Sequence, residues 1–312
     1  MIITLTPNPS VDQTIFIDRL EPGEVNRFVS SQLDPAGKGV NASRMVHRLG
    51  WPTIAFGFLA GETGRMVETA LDEEGVPRYF VRVPGQTRIN VAIVEAAVPR
   101  STAFFGPGPE VGADHIDTLL GLLRFWLPAG RVLVLAGSLP PGVPDDFYAE
   151  AIRHAREHGL VVVLDAAGEP LRRGIEATPD LIKPNREEAE ELLGRPLPKL
   201  EDVARGAREL VDRGIETVVV SLGKEGAICA RGDAAWHVMP PTIETRSTIG
   251  SGDSFVAGLA IALARGDDIT RGLRTGAAAG AATAATPGTA LGPAELVKEL
   301  ERRVEVVGLA GN

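Results

Sequence analysis

Cysteine is all but missing from this chain: Cys229 is the single one in 312 residues, which excludes an intrachain disulfide and a cysteine-based zinc site. The five histidines are scattered without metal-ligand spacing. Basic runs are absent and the net charge is −9, so no nucleic-acid partner is expected. Phosphorylated ligands stay allowed, provided that cations are placed locally where the phosphates sit. Long hydrophobic runs are lacking as well. The Ala-rich stretch near 276–286 is helix-like but weakly apolar, so no membrane partner is expected. The opening residues 1–7 have neither the charged start nor the apolar run of a signal peptide, and a cytoplasmic location follows as the default expectation. No Gly-x-x-x-x-Gly-Lys-Ser/Thr occurs, which rules out a Walker A loop, and the lack of Gly-x-Gly-x-x-Gly after a strand weakens a dinucleotide-dependent oxidoreductase.

What is present is an ordinary globular composition, 44% hydrophobic and 23% charged, with regular alternation of strand and helix. Val/Leu runs at 132–135, 161–164, 181–182 and 218–220 alternate with helical patterns near 114–126, 145–158, 186–193 and 201–213. Strands at 1–6 and 53–59 and helices at 39–49 and 64–74 precede them. Continuous apolar strands between helices predict a parallel sheet covered on both faces, an α/β fold. Ligand sites gather at the carboxyl ends of such strands. Those ends here hold Asn8-Pro9-Ser10-Val11-Asp12, Gly137-Ser138, Asp165, Lys183-Pro184-Asn185 and Ser221-Leu222-Gly223.

Segments 14–17 and 28–33, split by a Pro22-Gly23 turn, do not keep this rhythm, nor does a hairpin of 87–95 and 101–105 around Pro99-Arg100. Residues of about 12–35 and 87–105 therefore predict a small sheet projecting over the rim as a lid, carrying Asp12, Arg27 and Arg88. Exposed sheet edges tend to be covered, and pairing of two lids in a homodimer is the expectation. With no repeat, low-complexity tract or clear linker, residues 1–312 read as one domain.

The densest chemical signal is Gly250-Ser251-Gly252-Asp253, ahead of an apolar run at 255–263 that reads as a buried helix. The glycines let the backbone turn tightly, and a helix N-terminus offers unpaired N–H donors and a positive dipole end to an anion. A carboxylate suits that setting only if Asp253 serves as base on a hydroxyl while the amides hold charge on a transferred phosphoryl group. Capping by Asp253 is equally open from the loop alone. Ala36-Gly37-Lys38-Gly39-Val40-Asn41 is either a plain turn and cap or a loop that brings backbone, ammonium and amide to a sugar. Arg27 and Arg88 are forks matched to phosphate oxygens; alone they read as surface charges, and with Lys38 as a phosphate clamp. Asp12 caps its Pro-rich loop or accepts from sugar hydroxyls. Asn185 and Glu188 have capping-box spacing, and equally suit organising water and Mg²⁺ beside Lys183. Residues 221–226 read as a glycine-containing hairpin turn.

Pro35-Ala36-Gly37-Lys38-Gly39-Val40-Asn41 resembles the first signature of the PfkB (ribokinase-like) sugar kinases, and Ser247-Thr248-Ile249-Gly250-Ser251-Gly252-Asp253-Ser254 resembles the second, with Ser251 where alanine is usual. Matches in family order also fall at 6–12, 87–90, 106–110, 137–140, 182–185 and 221–223, nearly the whole chain. The Gly-Lys-Gly form and Thr87-Arg88-Ile89-Asn90 resemble its phosphosugar branch. The resemblance implies a three-layer α/β/α fold with a mostly parallel central sheet and a small β-sheet lid. It implies ATP-dependent, Mg²⁺-assisted phosphorylation of a ketohexose phosphate, fructose 1-phosphate first, with tagatose 6-phosphate or fructose 6-phosphate as alternatives. Asp12, Gly37, Lys38, Gly39, Asn41 and Ser138 would then hold the sugar, and Arg27, Arg88 and Lys38 its phosphate. Asp253 would be the base, with the amides of Gly250, Ser251, Gly252 and Asp253 as anion hole. Lys183, Asn185, Ser221, Gly223 and Gly226 would meet the nucleotide, with Asn185 and Glu188 serving Mg²⁺ through water. Segments 221–226 and 276–286 would wall the adenine. Ala167 stands where the branch commonly has serine, and no role is assigned to it. A kinase of an unphosphorylated sugar is disfavoured by Arg27 and Arg88, and a non-catalytic sensor by the intact Asp253.

Overall fold

Along Ile2–Thr6 the side chains of Ile3 and Leu5 enter one apolar core while Ile2 enters another. The same division holds for Val132–Ala136 and Val161–Asp165, where Leu133, Leu135, Val162 and Leu164 join the first core and Val132, Val134 and Val163 the second. Period-two alternation with both faces apolar is what a strand needs when helices cover it on each side. The computed structural model, which describes residues 1–97 and 100–309, shows that arrangement.

In chain order the strands are β1 (Ile2–Thr6), β2 (Ser10–Ile17), β3 (Ser30–Ala36), β4 (Thr53–Ala60), β5 (Arg78–Val83), β6 (Arg88–Glu95), β7 (Arg100–Phe104), β8 (Val132–Ala136), β9 (Val161–Asp165), β10 (Leu181–Ile182), β11 (Thr217–Ser221), β12 (Ala227–Arg231), β13 (Ala234–Met239) and β14 (Glu305–Leu309). Among the described residues they form a ten-stranded sheet, β14-β13-β12-β11-β10-β9-β8-β1-β4-β5, and a four-stranded sheet, β3-β2-β6-β7. From β11 to β5 the large sheet is parallel, and β12, β13 and β14 extend it antiparallel. Helices 113–126, 147–157 and 200–212 cover one face, and helices 38–48, 251–265, 269–284 and 294–301 the other.

In the small sheet β2 pairs parallel with β6 and antiparallel with β3. Ser10 opens β2 four residues after β1 ends, and Ala36 closes β3 two residues before helix Lys38–Arg48 begins. The sheet is thereby rooted at the rim of the large one. The expected hairpin exists as β6 and β7, but Arg100 already pairs with Glu95, so its turn precedes Arg100, and the Pro99 expected there lies outside the described residues.

Strands β5, β13 and β14 escape the sequence pattern because each lies at or near a sheet end, β5 and β13 mixing exposed and buried residues and β14 holding only exposed and half-buried ones. The Gly/Ala-rich stretch after residue 269 has a packing cause. Helices Ser251–Arg265 and Ile269–Ala284 touch backbone to backbone: a Cβ on Gly258 would lie 2.4 Å from the Gly276 nitrogen, and one on Gly276 would lie 2.8 Å from the Phe255 carbonyl oxygen. Close helix contact is only open to small residues there. It fixes the start of helix Ser251–Arg265 against the sheet. Among the described residues no helix is long and apolar enough to cross a membrane.

Candidate active site

The chain leaves β1 for β4 on one side and builds β8, β9, β10 and β11 on the other. Strand order therefore reverses between β1 and β8, the place where open parallel sheets leave a crevice at their carboxyl ends. A cleft of about 950 Å³ opens there, bounded by the small sheet and lined by Asn8, Asp12, Lys38, Arg88, Ser138 and Asp253 among others.

Asp253 is 9% exposed and stands in the first turn of helix Ser251–Arg265. It does not cap: Gly250 occupies the N-cap with a left-handed φ of 78° and no side-chain cap bond is made. The carboxylate instead accepts from Asn41 Nδ2 at 2.8 Å. Burial, then repulsion from Asp165, pushes the Asp253 carboxyl up to about 6, against the Asn41 hydrogen bond and the Lys38 and Lys183 charges. A carboxylate held near neutrality is suited to taking a proton. Beside it the first-turn amides lack intrahelical acceptors, although Ser251 N–H spends part of its capacity on Thr248 O at 3.4 Å.

Asp165 closes β9 fully buried, and the sequence pattern alone gives it no role. Lys38 Nζ lies 2.8 Å from its Oδ1 and Lys183 Nζ 3.3 Å from its Oδ2. Burial opposes its ionisation, but the two ammoniums outweigh burial and hold it below the usual carboxylate range. A carboxylate at the end of an apolar strand was the available signal. Asn90 has no expected role either: its Nδ2 donates to Asp12 Oδ1 at 2.8 Å and to Ser10 Oγ at 3.0 Å. Arg88 and Asn90 are two residues apart on β6 and so share a face of the strand.

The expected cation trio does not converge. Arg88 lines the cleft and donates to Gly106 O at 3.0 Å and Asn8 O at 2.9 Å, with its Nε left without a partner. Lys38 also lines the cleft but is drawn to Asp165, beside Asp253. Arg27 stands exposed in the loop between β2 and β3 and does not line the cleft. Gly37, at φ 119°, passes so near Pro9 that a Cβ would lie 2.9 Å from its Cα. Gly39 is buried under β1, where a Cβ would meet Thr6 Oγ1 at 2.4 Å; its smallness serves packing rather than sugar contact. Ser138 lines the cleft and accepts from Asn8 Nδ2 at 3.3 Å.

Asn185 and Glu188 form a reciprocal capping box, Asn185 Oδ1 accepting from Glu188 N and Glu188 Oε2 from Asn185 N, both at 2.8 Å. Glu188 nonetheless lines the cleft, and only one of its oxygens is used by the box. Among the described residues no cluster of three His, Cys, Asp or Glu side chains could hold a metal directly. Lys183 Nζ would lie 3.6 Å from a Cβ on Gly252, over the helix start. Ser221 bridges to Asn185, while Gly223 and Gly226, both at positive φ, shape the turn into β12. None of these last three lines the cleft.

Residues 5–295 match the sequence profile of the pfkB family carbohydrate kinases. The 1-phosphofructokinase of Xanthomonas campestris pv. campestris is 39% identical over 86% of this chain and 85% of that protein. That of Bacillus subtilis is 33% identical over 99% of this chain and all of its own length. The structure of phosphofructokinase-2 from Escherichia coli in complex with substrates and products superposes with a TM-score of 0.90 at 30% identity, covering 97% of this chain and 98% of that one. With the two signatures meeting at Asn41 and Asp253 on a ribokinase-like α/β scaffold, the chain belongs to the pfkB family of carbohydrate kinases.

Proposed function

We propose that this protein transfers the γ-phosphoryl group of ATP to fructose 1-phosphate, giving fructose 1,6-bisphosphate and ADP. The observation that carries the reading is Asp253: a buried carboxylate at a helix N-terminus, raised to about 6, facing a cleft with Lys38 beside it. An alcohol oxygen of the sugar attacks the γ-phosphorus, the bond to the bridging oxygen of the β-phosphate breaks with ADP leaving, and the alcohol proton passes to Asp253. The amides of Gly252 and Asp253, with Lys183 above them, stabilise charge on the moving group, since phosphoryl transfer depends on positioning and electrostatics. The names of the relatives, 1-phosphofructokinase in both bacteria, support fructose 1-phosphate as acceptor.

Asp12, Ser138 and Asn41 are the polar groups suited to the sugar hydroxyls, and Arg88 to its phosphate. Arg88 exchanges its two main-chain carbonyls for phosphate oxygens. Arg88→Ala therefore raises KM for the phosphosugar about 10- to 100-fold, the loss of one charge-assisted bond, and leaves KM for ATP within about threefold. Steady-state kinetics with each substrate varied checks this, and equal effects on both would reject the role. The free oxygen of Glu188 suits a water-bridged Mg²⁺, an ion that keeps waters and leans on substrate phosphates. Mg²⁺ would neutralise charge on the nucleotide phosphates.

The small sheet would act as a lid over the sugar. The sheet and its connecting loops leave Val25, Phe28, Val29, Ile89, Phe104 and Phe105 exposed, and a second copy of the chain would cover them. Sedimentation at micromolar concentration is expected to show a dimer, and Val29→Glu with Phe104→Glu to shift it to monomer. Use of ATP as donor would suit a cytoplasmic location. The deciding assay follows ADP release with fructose 1-phosphate, tagatose 6-phosphate, fructose 6-phosphate and fructose at matched concentrations. The reading expects fructose 1-phosphate to give the highest kcat/KM; a preference for free fructose would overturn it.

A further inference from the structure

Asn41 is 3% exposed and its side-chain amide has two ends of nearly equal shape, a donor and an acceptor. Which end faces Asp253 matters, because an amide oxygen against the carboxylate would repel it. Two neighbours of opposite kind decide the matter. Asp253 Oδ2, an acceptor, takes Nδ2 at 2.8 Å. Arg44, which has only donors, presents Nη1 to Oδ1 at 3.5 Å. Only one orientation of the amide satisfies both. Arg44 follows Asn41 by three residues on helix Lys38–Arg48, so the two lie on one face.

Arg44 is itself fixed. At 5% exposure it donates Nε to Glu74 Oε1 at 3.0 Å, Nη2 to the same oxygen, and Nη1 to Pro35 O at 3.0 Å. Glu74, just beyond the end of helix Gly61–Glu73, has its other oxygen 3.7 Å from Arg48 Nη2. The geometry points to Arg44, anchored by Glu74, as a positioning residue that keeps the donor end of Asn41 against the Asp253 carboxylate. This rests on Asp253 being the base. The charges that face Asp253 directly are Asp165, Lys38 and Lys183; Arg44 reaches it through Asn41. Losing the fixed donor leaves the ionised carboxylate less stabilised, so the base ionises at higher pH.

The test is the pH dependence of kcat with ATP and fructose 1-phosphate. Arg44→Met moves the acid limb upward by about half to one pH unit and so lowers kcat near pH 5 about 3- to 10-fold, the scale of one hydrogen bond to a charged group. Glu74→Gln, at a half-buried and more tolerant position, moves the limb in the same direction by less. In an Asn41→Ala background, Arg44→Met changes the limb and kcat by no more than about twofold, because partners acting through one group are not additive. An unmoved limb in a folded Arg44→Met protein overturns the role, as does an Arg44→Met effect of equal size with and without Asn41. If Arg44→Met does not fold, an unmoved limb in Glu74→Gln overturns it instead. Normal turnover in Asp253→Asn would remove the base itself, whereas an inactive Asp253→Asn with an unmoved limb in Arg44→Met removes Arg44 alone.

Discussion

Asp253→Asn should lose roughly 10²- to 10⁴-fold in kcat, the usual contribution of a positioned general base, and should melt at a higher temperature than the parent. Both effects have one origin. The carboxyl is raised from 3.8 to about 6, first by burial and then by Asp165, so at pH 7 the folded protein holds an ionised group that it disfavours. Keeping a carboxylate ionised against such a rise costs the fold about 3 kcal/mol at neutral pH. A raised folded value contributes stability below the ordinary carboxylate range and loses it as pH rises through about 6. The parent should therefore gain stability on acidification between about 6 and 4 while its kcat falls, because the base takes up its proton. The asparagine variant has nothing to titrate there. Its melting temperature at pH 7 should exceed the parent's by roughly 5 °C or more, with the gap closing by pH 4. Near-normal turnover would sink the base; equal melting temperatures at pH 7 would sink the claim that the fold is held under strain for its sake.

How much of this is legible in the sequence follows physical lines. The parallel strands are legible because each is apolar on both faces, and their carboxyl ends name most of the cleft: Asn8, Asp12, Ser138 and Lys183 all sit there or next to it. The two glycine-bearing loops are legible because helix N-termini with glycines have a chemistry of their own. Pairing is not. Nothing in the sequence says that Lys38 turns to Asp165 rather than toward Arg88, since that choice is made by a buried carboxylate 127 residues away. Likewise Asn41 and Asp253, 212 residues apart, each have a local capping explanation, and only the folded chain puts glycine at both N-caps and the two side chains in contact. Arg27 reads as a clamp residue because it falls in the expected lid with Arg88 and its fork matches phosphate oxygens; its loop carries it out to the surface instead. Asn185 and Glu188 show the opposite outcome, with the local capping box present and the cleft-facing position held at the same time.

Asp165→Asn should behave as the converse of Asp253→Asn. Asp165 is held below the usual carboxylate range, so it supplies stability above that range and loses it only as pH falls through its lowered value. Removing its charge at pH 7 leaves Lys183, 5% exposed, without its anion, and breaking a buried pair from one side costs about 3–5 kcal/mol. Part returns, because Asp253 becomes the remaining carboxylate near both ammoniums. The same change lifts the repulsion that helps to raise Asp253. Its proton should then leave more readily, and the acid limb of kcat should move to lower pH, opposite in direction to Arg44→Met. The plateau should also fall, by roughly 10- to 100-fold, because a weaker base held by two cations removes a proton less well. A lower melting temperature together with an acid-shifted limb is the expected pair; a limb that stays or moves upward would reject the coupling of the two carboxylates. In the double variant both aspartates that face the lysines are gone and Glu188 alone of these carboxylates stays beside Lys38, so Asp165→Asn with Asp253→Asn should be less stable than the two single effects combined.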